Sequence, residues 1–226
     1  MRRSTSTTCG AALALALSGC AASRAIAPLE RGTAALTASV GGPMFAFGGT
    51  PLPTPISTVG VAYGATERTT VHASLHPTGL ALFGTFAADV GASTQFLAPE
   101  GARPRLMGDL TVIGAGGDVA EGSPEGGVRV FARPNVTASW DWGKNGRSTV
   151  YTSLGGFVQP YPGPNALGTI AVGNLWALGP HHLTTQVEWL APYASSEPAA
   201  PYYYAPGDLG AISVQIGLGV RAVGAK

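Results

Sequence analysis

Thr85–Leu97 reads TFAADVGASTQFL, and its side chains sort by parity: Phe86, Ala88, Val90, Ala92 and Phe96 fall on one side, Asp89, Gly91, Ser93 and Gln95 on the other. Successive residues of an extended chain point to opposite faces, so the pattern is that of a strand with one apolar and one polar surface. A helix would bring residues three and four apart together and mix the two sets. No other stretch of the chain alternates as cleanly over so many residues.

Working outward, the same period recurs. On the C-terminal side, Arg105 to Ala115 sets Leu106, Leu110 and Val112 against Arg105, Asp109 and Thr111, and Val128 to Trp142 sets Val130, Val136, Ala138, Trp140 and Trp142 against Arg129, Arg133, Asn135, Thr137, Ser139 and Asp141. Ser148 to Phe157 and Thr169 to Leu178 follow, less polarised. His182 to Leu190 sets Leu183, Val187 and Trp189 against His182, Gln186 and Glu188, and Ile212 to Ala222 sets five aliphatic residues against Ser213, Gln215, Gly217, Gly219 and Arg221. On the N-terminal side lie Ala34 to Val40, Ile56 to Ala65, and Thr69 to Leu75, the last with Thr70, His72 and Ser74 on its polar face. The count is ten strands, with eight the alternative. Pro134 removes a ladder donor and calls for a bulge or a break in its strand.

The connections alternate in length. Those over residues 41–55, 76–84, 116–127, 158–168 and 191–210 are long, whereas those over 66–68, 98–104, 143–147 and 179–181 are tight. All long loops therefore lie at one end of the molecule, as in transmembrane barrels. With an even strand number both termini fall at the tight-turn end.

Composition agrees with a sheet in lipid. Charged residues make up 11% of the 226, against roughly 25% in ordinary soluble domains. No stretch after the leader reaches the ~18 apolar residues of a helical span, so strands must carry the apolar surface. The formal net charge of +1 gives no reason to expect nucleic acid as a partner.

At the N-terminus, Met1, Arg2 and Arg3 precede an apolar run from Gly10, which closes with Leu17, Ser18, Gly19 and Cys20. Those four residues resemble a bacterial lipobox. The resemblance implies a signal peptide over 1–19, cleavage before Cys20, acylation of that cysteine with palmitate-type chains, a lipidated linker over 20–32 and a barrel domain over 33–226. Ala21, in place of the Asp that holds enteric lipoproteins at the inner membrane, points to the outer membrane of a Gram-negative cell with the N-terminus periplasmic. Cys9 is lost with the leader, so no disulfide can form in the mature chain.

Together, the strand pattern and loop order resemble small bacterial outer-membrane β-barrel proteins of eight to ten strands. The expected fold is all-β: a closed antiparallel up-and-down transmembrane barrel. Closure removes sheet edges that lipid cannot solvate and turns the polar faces inward. The lumen would then hold a polar network of His72, Asp89, Arg105, Asp109, Arg129, Arg133, Asp141, Gln186, Glu188 and Arg221, four acids balancing four bases in a filled core. Buried charges of this kind are most often structural pairs. Tyr63, Trp140, Trp142, Trp176 and Trp189 fall near strand ends on the apolar face, as interfacial girdle residues do. Tyr202, Tyr203 and Tyr204 in the last long loop form a contact surface for an unidentified surface or envelope protein.

Catalytic motifs are missing: there is no GxSxG, Walker loop, dinucleotide fingerprint or CxxC. His72 and His76 would stand about 13 Å apart along one strand, too far to share a metal. The expected role is structural, adhesive or interactive, without cofactor and without enzymatic activity. Two other readings compete: a lipid-anchored soluble β-sandwich or lipocalin-like module in the periplasm, and a membrane enzyme resembling omptin-type barrel proteases. In the last, His76 would stand beside the loop acids Asp118, Glu121, Glu125, Glu197 and Asp208.

Overall fold

A computed structural model describes residues 25–47, 50–117, 128–143, 147–161, 165–195 and 209–221. Among the described residues the strands are β1 (Ala34–Phe47), β2 (Thr50–Pro53), β3 (Ile56–Gly64), β4 (Thr69–Leu75), β5 (Thr85–Leu97), β6 (Arg105–Gly117), β7 (Val128–Trp142), β8 (Ser148–Tyr161), β9 (Asn165–Leu178), β10 (His181–Ser195) and β11 (Leu209–Arg221), with a helix, α1 (Pro77–Phe83). Each strand from β3 onward pairs antiparallel with the next, β3 pairs with β1, and β11 returns to β1. The result is a closed up-and-down barrel of ten strands. The remaining strand, β2, only extends the rim, pairing with residues 44–47 of β1.

Closure is carried by an unbroken ladder from Ala35↔Arg221 to Pro43↔Ser213. The outer surface is apolar around the whole circumference. Leu36, Val61, Val90, Leu110, Val136, Leu154, Val172 and Leu218 are all exposed, and each stands on the outward parity of its own strand. In a β-sandwich such residues would meet across two stacked sheets. One sheet closed upon itself has no such second face, so the sandwich reading is excluded.

Beyond the connection expected over residues 158–168, which shrinks to 162–164 because β8 runs on to Tyr161 and β9 starts at Asn165, four details differ from the sequence reading. The first strand continues from Val40 to Phe47 and turns back through β2, so a hairpin fills what reads as a loop. The second long connection holds α1, closed by Gly84 in the left-handed region at φ 60°, whose amide donates to Gly79 and Leu80 carbonyls. Pro134 does not break β7; the ladder to β8 passes from Ala132↔Val158 to Asn135↔Gly155, with a register shift between Val130 and Ala132. A missing donor at this outward-facing position is tolerated because the partner strand on the other side still registers Leu110 against Pro134.

The fourth difference concerns residues 25–33, which are not a free linker in this structure. Ile26 and Leu29 are buried at the tight-turn mouth, Leu29 beside Ala35 and Ala62. The Leu29 amide donates to Thr70 Oγ1 at 2.8 Å, the Gly32 amide donates to the Gly64 carbonyl at 2.8 Å, and Arg221 pairs with Glu30 at 3.2 Å. A side chain on Gly64 would collide with the Glu30 carbonyl, so the close approach of this segment depends on glycine there.

Candidate functional site

The lumen is the place where the polar faces of the strands converge. In its loop-side half, Ala87, Ile113, Ala115, Phe131, Phe157, Leu190 and Ala211 form an apolar cluster. Phe131 occupies the same inward parity as Arg129 and Arg133, so alternation alone puts it there; what it meets depends on β8, β10 and β11. Arg133 lies with its guanidinium carbon 4.9 Å from the Phe157 ring centre and its Nη2 donates to Glu188 Oε1 at 2.5 Å. Gln186 Nε2 donates to the other Glu188 oxygen at 3.4 Å, and the Tyr151 hydroxyl donates to Gln186 Oε1 at 3.3 Å. Both ion-pair side chains are almost wholly buried, at 5% and 1% exposure.

Across the lumen, Asp89 is held by His76 Nε2 at 2.7 Å and by Ser74 Oγ at 3.1 Å. Nearby on the same wall, Asp109 accepts from Ser93 Oγ at 2.6 Å and from Thr111 Oγ1 at 3.1 Å, while His72 Nε2 lies 3.1 Å from Thr111 Oγ1. At the tight-turn mouth, Arg105 Nη2 donates to Asp141 Oδ2 at 3.0 Å and Thr149 donates to Asp141 Oδ1 at 2.8 Å.

These contacts revise the expected balance of charges. Arg133–Glu188 and Arg105–Asp141 pair as acid and base among the residues singled out from the sequence. Asp89 and Asp109 instead rest on a histidine and hydroxyls, and Arg221 turns to Glu30 outside the strands. Arg129 is buried, and among the described residues its Nε has no hydrogen-bond partner. The reason is positional: a carboxylate meets a cation across the lumen only if closure brings their strands to the same height.

His76 belongs to the lumen and not to the rim, being 2% exposed against Asp89. Ser74 donates to Asp89 and not to an imidazole, so this trio does not align a nucleophile with a base. Asp118, Glu121, Glu125, Glu197 and Asp208, together with Cys20 and Tyr202, Tyr203 and Tyr204, lie outside the described residues. Among the described residues no group of three metal-ligating side chains comes together.

On the outside, Tyr63, Phe96, Trp140 and Trp142 stand exposed toward the tight-turn end, and Trp176 joins them half-buried. The Asn174 amide lies between the indoles of Trp142 and Trp176 and accepts from Trp176 Nε1 at 2.7 Å. At the opposite end Phe86 is exposed, and Trp189 Nε1 donates to the Leu209 carbonyl at 2.8 Å. Rings with one apolar body and one hydrogen-bonding nitrogen suit the boundary between hydrocarbon and water.

No protein-family model matches the chain, and no curated protein matches it in sequence. Among solved structures it is similar to the translocator domain of the autotransporter NalP from Neisseria meningitidis, at 14% identity and a TM-score of 0.49, over 96% of this chain and 98% of that one. It is similar to the outer membrane protease OmpT from Escherichia coli at 10% identity and a TM-score of 0.36, covering 84% and 94%. A third likeness is to an anion-selective porin from Comamonas acidovorans, at 17% identity and a TM-score of 0.34, covering 75% of this chain and 49% of the porin.

Proposed function

We propose that the chain is an outer-membrane β-barrel lipoprotein of a Gram-negative bacterium. Its role is structural or adhesive: it anchors in the bilayer and presents its long loops to a surface or envelope protein, without enzymatic activity. The observation that carries this reading is the closed sheet whose outward side chains are aliphatic on every strand. Such a surface far exceeds the few hundred Å² of apolar patch that soluble monomers leave bare, and only closed barrels and helices satisfy their backbone in lipid. The apolar layer of Phe131, Phe157 and Leu190 above the Arg133–Glu188 pair favours an occluded lumen over a diffusive pore.

The lipid anchor fits the position of residues 25–33. Cys20 precedes Ala25 by five residues, and an extended chain covers at most ~3.6 Å per residue. An acyl group on Cys20 would therefore enter the leaflet within about 18 Å of the tight-turn mouth, which makes that end periplasmic. The loop-side ends of β10 and β11 then face the outside of the cell.

One experiment separates the parts of this reading. Cells grown with labelled palmitate should yield a labelled protein that migrates differently in dodecyl sulfate before and after boiling. Cys20→Ala should lose the label and keep the heat-dependent shift. Retention of label in that variant removes the lipoprotein assignment, and a band that never shifts removes the closed membrane barrel.

A further inference from the structure

The geometry points to a binding site for a phosphate group in the tight-turn mouth, between the strap of residues 25–29 and the inner ends of β1 and β9–β11. A cavity of about 210 Å³ lies there, walled by Ile26, Leu29, Thr37, His181, His182 and Arg221 among others. It is smaller than the ~300–1,000 Å³ of sites that enclose whole drug-sized ligands, so a compact polar group is the right size.

One of its lining side chains is buried without a partner: among the described residues Thr37 Oγ1 makes no hydrogen bond. One position further along the same strand the situation is different, since Ser39 and Thr58 satisfy each other at 2.6 Å. A buried hydroxyl left unsatisfied is costly, and that cost is removed if a ligand in the cavity supplies the missing bond.

The sign of that ligand follows from its surroundings. Arg221 and His182 line the cavity, no Asp or Glu is among its described lining residues, and Glu30 engages Arg221 Nη1 from the exposed rim at 3.2 Å. His182 is held against the wall because Gly219 opposite has no side chain; a Cβ there would strike the imidazole. A phosphate combines what these groups ask for, since its several oxygens accept from a guanidinium, an imidazole and a hydroxyl at once. The phosphate can belong to a soluble ester or to the headgroup of a phospholipid in the leaflet that meets this end of the barrel.

The test uses the full folded protein in neutral detergent, titrated with inorganic phosphate, and in parallel the protein in phosphatidylcholine nanodiscs with and without phosphatidylglycerol, both followed by phosphorus NMR. Arg221→Gln should weaken binding about tenfold or more, and Thr37→Val, which keeps the shape and removes the hydroxyl, about threefold or more. Arg105→Gln, on the opposite side of the mouth and paired with Asp141, should leave binding unchanged. The heat-dependent gel shift checks that each variant is folded. Saturable binding of inorganic phosphate that both variants weaken supports the site with a soluble source. Immobilised phosphatidylglycerol without phosphate binding, weakened by the same variants, supports it with a headgroup source. Binding to neither probe, or equal binding by wild type and both variants, overturns the site.

Discussion

Arg133 and Glu188 show what a single inward residue contributes. Their carboxylate–guanidinium bond is buried on both sides, and Gln186 and Phe157 complete the surroundings of the two charges. Removing one member strands the other in a low-dielectric space, which costs about 3–5 kcal/mol. Glu188→Leu should therefore lower the unfolding free energy by about that amount, measured as the urea midpoint of the barrel in vesicles. The double change Arg133→Met with Glu188→Leu should recover most of the loss, because two apolar groups of similar volume leave no charge unpaired. Equal destabilisation by the single and double variants would show that packing, not charge, holds this point. Parity along β7 and β10 makes both residues inward from the sequence alone. Their pairing was not legible, since the two positions lie 55 residues apart in sequence, and their relative height depends on the registers of every strand between them.

At the scale of elements, the β7–β8 seam is interrupted within its strands. Its ladder passes over Arg133 and Pro134, while β8–β9 pairs without interruption from Ser148↔Trp176 to Gln159↔Asn165. Local opening free energy follows the hydrogen bonds that must be broken. The amides of Gly156 and Phe157, opposite the gap, should exchange with deuterium faster than those of Val150 to Leu154 in the same strand. Uniform protection along β8 would mean that the proline imposes no local weakness. A proline in the sequence announces a lost donor, and the ladder to β8 does lapse across it with a register shift nearby, yet β7 itself continues because a strand in a closed sheet is held from both sides. The helix α1 and the rim strand β2 escaped for another reason: each is short, at 7 and 4 residues, too brief for a periodic signal to rise above loop composition.

For the whole molecule, the proposed membrane placement turns on what solvates the outer face. Leu110 is exposed near the middle of β6 on the outward side. Leu110→Arg should destabilise the barrel by about 2–4 kcal/mol if that position faces the bilayer midplane, read from the folding equilibrium in vesicles. An exposed leucine on a water-facing surface would tolerate the same change with an effect within about 0.5 kcal/mol, and that result would refute the membrane placement.

Two things follow from the chain order of residue types alone: which side chains of each strand share a face, and that the longest connections, over 118–127 and 196–208, fall at one and the same end. Both depend only on the pleat of an extended backbone and on distances along the chain, which are local. Three things required the closed tertiary structure: the return of β11 to β1, the partners that each lumen charge finds, and the lodging of residues 25–33 in the mouth. Each of these is fixed by register added up around a ring of strands, and no segment read by itself carries that sum.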